Sequence, residues 1–351
     1  MAKRVLIGMS GGIDSAVSAI LLQEQGYELV AATFRTFDVV NDHKNTKGCC
    51  SEDSIVEAQK MAHSLGIEHH VLDFRNTFRD YVINNFVQEY ASGRTPNPCV
   101  MCNSHIKWGK LLEAADLFNC DYVATGHYAQ IAEHRGHLYL KNAVDRQKDQ
   151  TYFLWMLTEE NLRRTIFPLG GLTKTQVRQI AMDRGYETLS KKAESQDICF
   201  IPNNDYRTFL LEQGVNVESG QFIDSDGKIL GTHCGYCHYT IGQRKGLGIA
   251  LGTPKHVLKI DAQNNTVTLA DHDDLYTHDV HIQHVRLRDP QWLLEDPMVT
   301  ARIRYKSPAT EAQLQLNDNN IHFTQPIWGV TPGQSLVIYK DDLLVGGGII
   351  L

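Results

Sequence analysis

Val5-Leu6-Ile7-Gly8-Met9-Ser10-Gly11-Gly12-Ile13-Asp14-Ser15 is the stretch that decides the fold. Three consecutive apolar residues read as a buried strand and the glycines as a tight turn. The residues from Asp14 to Gln25 read as a helix with Val17, Ile20 and Leu21 on its apolar face and Gly26 as its stop. Outward from this unit the alternation repeats. Residues 29–34 read as a second strand, Ser51 caps a helix with Ile55, Ala58, Ala62 and Leu65 on one face, and Gly66 ends it. His70, Val71 and Leu72 form a third strand, two helical stretches flank Gly93-Arg94-Thr95-Pro96-Asn97-Pro98, and Tyr122-Val123-Ala124-Thr125 is the next strand. The order βαβαβααβ predicts an α/β, Rossmann-like domain with a parallel sheet and helices on both faces.

From Pro202 onward the texture changes to short alternating segments separated by Gly, Asn, Asp and Pro, which predicts small β-rich domains. We expect a catalytic domain over residues 1–205, a small central α+β or β domain over 206–271 and a C-terminal β-barrel over 272–351. A chain of 351 residues accommodates two or three domains. With 42% apolar and 21% charged residues it is no disordered protein, and 34 basic against 41 acidic residues, a net charge of −7, argue against a general nucleic-acid coat. A polyanionic partner must therefore meet a local basic patch. No apolar run approaches the ~20 residues of a membrane span, and the start is too short for a secretory core, so the chain reads as cytoplasmic without a membrane role. In that setting the eight cysteines, at 49, 50, 99, 102, 120, 199, 234 and 237, read as reduced thiols rather than a disulfide framework.

The turn itself carries chemistry. Backbone N–H groups of Gly8, Met9, Ser10, Gly11, Gly12, Ile13, Asp14 and Ser15 can approach an anion at a helix N-terminus, with the Ser10 and Ser15 hydroxyls as further donors. Asp14 suits helix capping or, through Mg²⁺, pyrophosphate handling. Neither Gly-x-x-x-x-Gly-Lys-Ser/Thr nor Gly-x-Gly-x-x-Gly is present. The loop resembles the Ser-Gly-Gly-x-Asp-Ser signature of the N-type ATP pyrophosphatases, which cleave ATP to AMP and pyrophosphate and adenylate a substrate oxygen. Argininosuccinate, GMP and NAD synthetases share it with tRNA-lysidine synthetase and the tRNA thiolases, so further motifs must choose among them.

Those motifs are Gly93-Arg94-Thr95-Pro96-Asn97-Pro98-Cys99-Val100-Met101-Cys102-Asn103, Ala124-Thr125-Gly126-His127-Tyr128, Lys148-Asp149-Gln150-Thr151-Tyr152-Phe153, Lys192-Ala193-Glu194-Ser195-Gln196-Asp197-Ile198-Cys199-Phe200 and Thr240-Ile241-Gly242-Gln243-Arg244-Lys245-Gly246. Together they resemble the bacterial tRNA-specific 2-thiouridylase family, MnmA, over nearly the whole chain. The resemblance implies ATP-dependent conversion of C2=O of the wobble uridine to C2=S in tRNAs for Lys, Glu and Gln. It implies ATP with Mg²⁺ bound by residues 8–15, Phe34 and Gly126, and a persulfide on Cys199 loaded by a sulfur-relay protein or cysteine desulfurase. Cys102 is implied as the second catalytic thiol, releasing hydrosulfide or closing a Cys102–Cys199 disulfide. Asn97, Pro98 and Cys99 match the segment that touches the target base, which must leave the anticodon stack. The implied tRNA footprint adds His127, Lys148, Asp149, Gln150, Gln243, Arg244, Lys245, Arg304, Tyr305 and Gln334. Residues 299–306 alternate, with Arg302, Arg304 and Lys306 on one side, a pattern that a solvated strand face also explains.

The chain departs from one common family pattern at Cys99, where Asp is frequent. That casts doubt on Asp-based proton transfer and creates Cys99-x-x-Cys102, which with Cys199 could ligate an iron–sulfur cluster. Cys234-Gly235-Tyr236-Cys237-His238 matches a haem-attachment spacing by coincidence; a zinc site joining Cys234 and Cys237 to Cys99 and Cys102 is the remote alternative. Two rivals remain: a small-molecule ligase of the argininosuccinate synthetase class, which needs no Cys102/Cys199 pair, and a sulfur-carrier or tRNA-binding paralogue, which needs no intact ATP loop.

Overall fold

The computed structural model describes residues 2–37, 52–190, 198–215 and 218–351. The chain divides into two units: Met1–Ile83, Pro98–Asn204 and Asp342–Val345 form the first, and Asn84–Asn97, Asp205–Asp341 and Gly346–Leu351 the second.

The first unit opens with β1 (Arg4–Gly8), α1 (Ile13–Glu24), β2 (Glu28–Arg35), α2 (Glu52–Ser64), β3 (Glu68–Asp73) and α3 (Arg75–Phe78). The chain then passes through α4 (Asn84–Ala91) of the second unit and returns with α5 (Pro98–Met101), α6 (Leu111–Leu117) and β4 (Tyr122–Ala124). An antiparallel hairpin, β5 (Gln130–His134) and β6 (His137–Lys141), precedes α7 (Glu159–Arg163), β7 (Thr165–Ile166), α8 (Lys174–Asp183) and α9 (Glu187–Ser190). The sheet order is β3-β2-β1-β4-β7, and every pairing in it is parallel. The expected Rossmann-like sheet is therefore present. The central strand β1 is apolar without alternation because both its faces are covered: Val5, Leu6 and Ile7 are wholly buried, and Ala58 and Ala62 of α2 pack in the same core. A second cluster joins Ile13 and Val17 of α1 to Tyr128, Leu169, Val177 and Ala181, fixing α8 beside the start of α1. The cap assigned to Ser51 and the segment 192–197 lie outside the described residues.

In the second unit α10 (Tyr206–Glu212) accompanies a four-stranded sheet of order β10-β11-β8-β9, built from β8 (Gly220–Ile223), β9 (Ile229–His233), β10 (His256–Asp261) and β11 (Thr266–Ala270). The barrel follows: β12 (Tyr276–Leu287), α11 (Pro290–Glu295), β13 (Met298–Arg302), β14 (Thr310–Gln315), β15 (Asn320–Trp328), β16 (Ser335–Lys340) and β17 (Leu343–Ile350). Their order β12-β15-β14-β13-β16-β17 closes through a β12–β17 pairing, so six strands leave no open edge. The earlier helix α4 belongs here because its aromatics pack here. Tyr90 stacks on Tyr206 at 5.0 Å, Phe86 meets Phe209 edge-on at 6.0 Å, and the Tyr236 hydroxyl donates to the Ala91 carbonyl at 2.6 Å.

Candidate active site

Parallel strands deliver their C-terminal ends to one edge, where open α/β sheets bind ligands. Gly8 ends β1 there. A Cβ on it would lie 3.8 Å from the Phe34 ring of β2 and 3.8 Å from the Thr125 methyl after β4, so these three positions share one patch. Phe34 is half-buried, tilted against Phe74 at 5.4 Å. Met9, expected in the ATP loop, turns its side chain into the core at 3% exposure and leaves its backbone to the loop. The Met9 N–H donates to Ala32 at 2.8 Å, and its carbonyl accepts from the Thr33 hydroxyl at 2.9 Å. Thr33 in turn lies 2.8 Å from Nε2 of His69, which must then be the donor; burial lowers the His69 pKa and keeps the ring neutral.

Gly12 caps α1 in extended conformation without a side-chain bond to the first turn. Ser15 is buried; its hydroxyl donates to the Gly12 carbonyl at 3.0 Å and accepts from the Ser10 N–H at 3.2 Å, curling the loop over the helix start. Gly11 takes φ +70°, and a Cβ on it would stand 2.8 Å from the Ser54 carbonyl. Gly126 is needed for a close backbone approach: a Cβ on it would meet the Asp14 backbone carbon at 2.9 Å and the Ser15 nitrogen at 3.0 Å. The glycine lets the loop after β4 lie directly on the first turn of α1.

Asp14 is neither a simple cap nor a lone carboxylate. Lys174 Nζ bonds both its oxygens, at 2.7 and 2.8 Å, and the Tyr128 hydroxyl donates to it at 2.8 Å. Lys174 is 8% exposed and opens α8, whose Thr173-to-Gln176 capping box fixes its position. Sequence reading missed Lys174 and Tyr128, although Thr173-Lys174-Thr175-Gln176 carries the capping-box signature. A lysine ammonium thus stands beside an anion-binding turn.

The thiols lie on the same unit. Pro98 and Val100 of α5 are buried while Cys99 is exposed, and Cys102 begins a stretch, Cys102–Lys110, with π-type i→i+5 bonding, a form that recurs at functional sites. Asn103 fixes this start by donating to the Phe153 carbonyl at 3.0 Å. Cys199 is half-buried in a turn anchored by its neighbour Phe200, whose ring meets Phe78 of α3 edge-on at 5.6 Å, and α3 packs on the π-type stretch. Cys99, Cys102 and Cys199 are reduced, and no disulfide joins them. Among the described residues no three His, Cys, Asp or Glu side chains are grouped for a metal; Cys99 is exposed, and Cys199 lies in a turn whose next residue, Phe200, packs on Phe78. Cys234 and Cys237 join no such group either. Cys237 is 1% exposed, and burial pushes its thiol pKa up.

Several residues of the implied tRNA footprint have hydrogen-bond partners within the protein. His127 is 8% exposed; Lys107 Nζ lies 3.3 Å from its Nε2, which must accept, so Nδ1–H faces the Thr125 hydroxyl at 2.7 Å. Desolvation and then Lys107 push its pKa well below the ordinary value of about 6.5, so it is a neutral brace. Asp149, 2% exposed, accepts from the Ala143 N–H at 2.6 Å and the Thr151 hydroxyl at 2.6 Å, and Gln150 accepts from the Tyr128 N–H at 2.9 Å. Lys148 and Tyr305 remain half-exposed. The strand expected through residue 306 ends at Arg302, because the Arg304 guanidinium turns inward to the Thr331 hydroxyl at 2.7 Å and to the Gly329 carbonyl.

Family models match in chain order: a tRNA methyl transferase HUP domain over residues 3–203, a tRNA methyl transferase PRC-barrel domain over 207–271 and an aminomethyltransferase β-barrel domain over 282–350. The tRNA-specific 2-thiouridylase MnmA of Amoebophilus asiaticus is 46% identical, covering 98% of this chain and 94% of its own. The chain belongs to the MnmA family. Its MnmA relative from Halothermothrix orenii is 47% identical, covering 99% of this chain and 98% of its own. Among solved structures, a 4-thiouridine synthetase–RNA complex with bound ATP is similar at a TM-score of 0.39 and 16% identity, covering 60% of this chain and 50% of that one. NMN synthetase from Francisella tularensis is similar at a TM-score of 0.35 and 19% identity, covering 55% and 67%. Membership of MnmA makes the chain an enzyme of the sulfur-transferring class and sets aside the ligase reading. No helix among the described residues is long and apolar enough to cross a membrane.

Proposed function

We propose that the chain uses ATP to replace O2 of the wobble uridine of tRNAs for Lys, Glu and Gln with sulfur. The observation that carries this reading is one unit that holds both a helix N-terminus capped by Gly12 without a side-chain bond, with Lys174 and Asp14 beside it, and two free, half-buried thiols, Cys102 and Cys199. The loop 8–15 receives the triphosphate, with Phe34 against the adenine and Lys174 beside the anionic turn. Mg²⁺ would accompany the triphosphate, near Asp14, which engages Lys174 and Tyr128.

A carbonyl oxygen leaves only when activated. The uracil O2 attacks the α-phosphorus, pyrophosphate departs, and AMP becomes the leaving group. The terminal sulfur of a Cys199 persulfide, loaded by a sulfur-relay protein or cysteine desulfurase, then adds to C2 and AMP leaves. Cys102 either frees that sulfur beforehand as hydrosulfide or displaces Cys199 from the product-bound sulfur. Both routes end in a Cys102–Cys199 disulfide that a cellular dithiol reduces. Asn97, Pro98 and Cys99 face the flipped base, and Lys148, Arg244, Lys245, Tyr305 and Lys306 supply exposed or half-exposed backbone contacts. The reaction is cytoplasmic, where tRNA and reductant are found.

The test incubates anaerobically purified protein with unmodified tRNA-Lys, ATP-Mg²⁺ and either sulfide or a persulfide donor, measuring 2-thiouridine by nucleoside mass spectrometry together with AMP, pyrophosphate and bound iron. Iron-free thiolation with one AMP per 2-thiouridine is the expected result. No 2-thiouridine, or AMP release without tRNA dependence, would count against the proposal.

A further inference from the structure

Lys107 is a half-buried lysine with no carboxylate beside it. It lies in the π-type stretch Cys102–Lys110, whose i→i+5 bonding puts it one turn beyond Cys102. The next residue, Trp108, is buried, and its indole N–H donates to the Thr165 hydroxyl at 2.8 Å, which fixes the register of the stretch. Lys110, at the end of the same stretch, pairs with Glu113 at 2.7 Å, and Lys174 pairs with Asp14 at 2.7 Å. Lys107 has no such partner among the described residues. Its ammonium lies 3.3 Å from Nε2 of His127, an acceptor that burial first and the Lys107 charge second keep neutral. Withdrawing an ammonium partly from water without a counter-charge is unfavourable, so a charge held this way suits an anion that arrives with a ligand.

His127 places that charge. Its ring follows Gly126, which lies so close to the first turn of α1 that a Cβ would meet Asp14 at 2.9 Å and Ser15 at 3.0 Å. Nδ1 of the same ring is held at 2.7 Å by the hydroxyl of Thr125, whose methyl would stand 3.8 Å from a Cβ on Gly8. The Lys107 ammonium is therefore tied, inside the first unit, both to the turn that receives the triphosphate and to the stretch that begins at Cys102. The group that must lie between a nucleotide and a sulfur-delivering thiol is the α-phosphate, which first joins the base oxygen and then leaves with it.

We propose that Lys107 is a catalytic residue that binds the non-bridging oxygens of the α-phosphate, in ATP and in the adenylated base. The assignment rests on the reading that this unit adenylates uridine O2. In that step an electron pair of O2 forms the bond to the α-phosphorus. The bond from phosphorus to the bridging oxygen breaks, its pair leaves with pyrophosphate, and N3 of the base and Nζ of Lys107 keep their protons. Negative charge gathers on the non-bridging oxygens as the fifth bond to phosphorus forms, so the ammonium stabilises the transition state more than the bound nucleotide.

Lys107→Met keeps the stem and removes the charge. It is compared with wild type for calorimetric binding of AMP and of adenosine without tRNA, and for single-turnover pyrophosphate release at saturating ATP-Mg²⁺ and tRNA-Lys. The tRNA Kd by filter binding across a salt series and the pH profile of Cys102 alkylation complete the comparison. The AMP Kd rises about 10-fold while the adenosine Kd stays within about twofold, since only AMP carries the phosphate. Pyrophosphate release slows about 100-fold, and the tRNA Kd and the Cys102 profile stay those of wild type. Wild-type AMP affinity together with wild-type pyrophosphate release overturns the proposal. A weakened tRNA Kd with a salt slope smaller by about one, at wild-type AMP affinity, makes Lys107 an RNA phosphate contact and overturns it too. So does a shifted Cys102 profile at wild-type AMP affinity, which makes Lys107 the partner of the thiolate. If Lys107→Met does not fold, Lys107→Gln carries the same measurements. A wild-type protein that binds no AMP and releases no pyrophosphate with tRNA instead overturns the reading on which the assignment rests.

Discussion

Lys174→Met is the sharpest perturbation of the ATP loop. The side chain it removes is 9% exposed, and its ammonium bonds both oxygens of Asp14, which is 33% exposed. Removing one partner of a fully buried pair costs about 3–5 kcal/mol. The exposure of Asp14 lets water recover part of this, and an exposed pair is worth at most about 1 kcal/mol, so an intermediate of about 2 kcal/mol is expected. The methionine fills most of the lysine stem's volume, so packing is retained and the loss is electrostatic. The first turn of α1 keeps its Gly12 cap but loses the tether to α8. The loss lowers Tm by several degrees in a thermal melt, and the same ~2 kcal/mol taken from the ordered loop slows pyrophosphate release at saturating ATP and tRNA about 30-fold. Asp14→Asn alone and combined with Lys174→Met completes a double-mutant cycle in which the two losses are far from additive. Wild-type Tm and pyrophosphate release in Lys174→Met, or additive losses in the double mutant, would refute the assignment of the pair to the loop.

Gly126→Ala forces a Cβ to 2.9 Å from the Asp14 backbone, which no side-chain rotation relieves, so a loss of about 1–3 kcal/mol in denaturant unfolding and a raised KM for ATP are expected. Cys102→Ser and Cys199→Ser each abolish 2-thiouridine formation while tRNA binding and AMP formation persist; loss of tRNA binding in either would count against their roles. Cys99→Ala, in the base-facing segment, lowers 2-thiouridine formation at saturating tRNA, and iron analysis of the same protein finds no bound iron. His127 and His69 have folded pKa values below the ordinary 6.5, so the unfolded chain binds more protons as pH falls below 6.5; stability is complete above that pH and declines beneath it. Melts from pH 8 to 5 should show that decline, and His127→Gln should flatten it.

The parallel sheet was legible because β1 and most of β2 are short apolar runs beside Gly or helix signals, a pattern that requires only local propensity and burial on both faces. The hairpin β5–β6 was missed although Arg135 and Gly136, at φ 52° and 80°, form the tight turn between its strands, because neither residue type pair is a strong hairpin signal. β7 has two residues and no periodicity to read. The strand expected through Lys306 stopped at Arg302 because acceptors remote in sequence, at Thr331 and Gly329, drew Arg304 inward.

At the site, residue types and spacing determined the anion-binding turn and, through the family resemblance, the two thiols, since a glycine-rich turn before a helix needs no distant partner to be recognised. Which charge stands beside that turn was a tertiary matter: Asp14 and Lys174 are 160 residues apart and meet only when α8 packs on α1. So was the fate of the polar residues expected to face RNA. A histidine, an aspartate or a glutamine in a motif is equally suited to a ligand and to a neighbouring backbone. Packing gives His127 its neighbours Lys107 and Thr125 and gives Asp149 the Ala143 N–H and the Thr151 hydroxyl, and no motif in the sequence announces those partners.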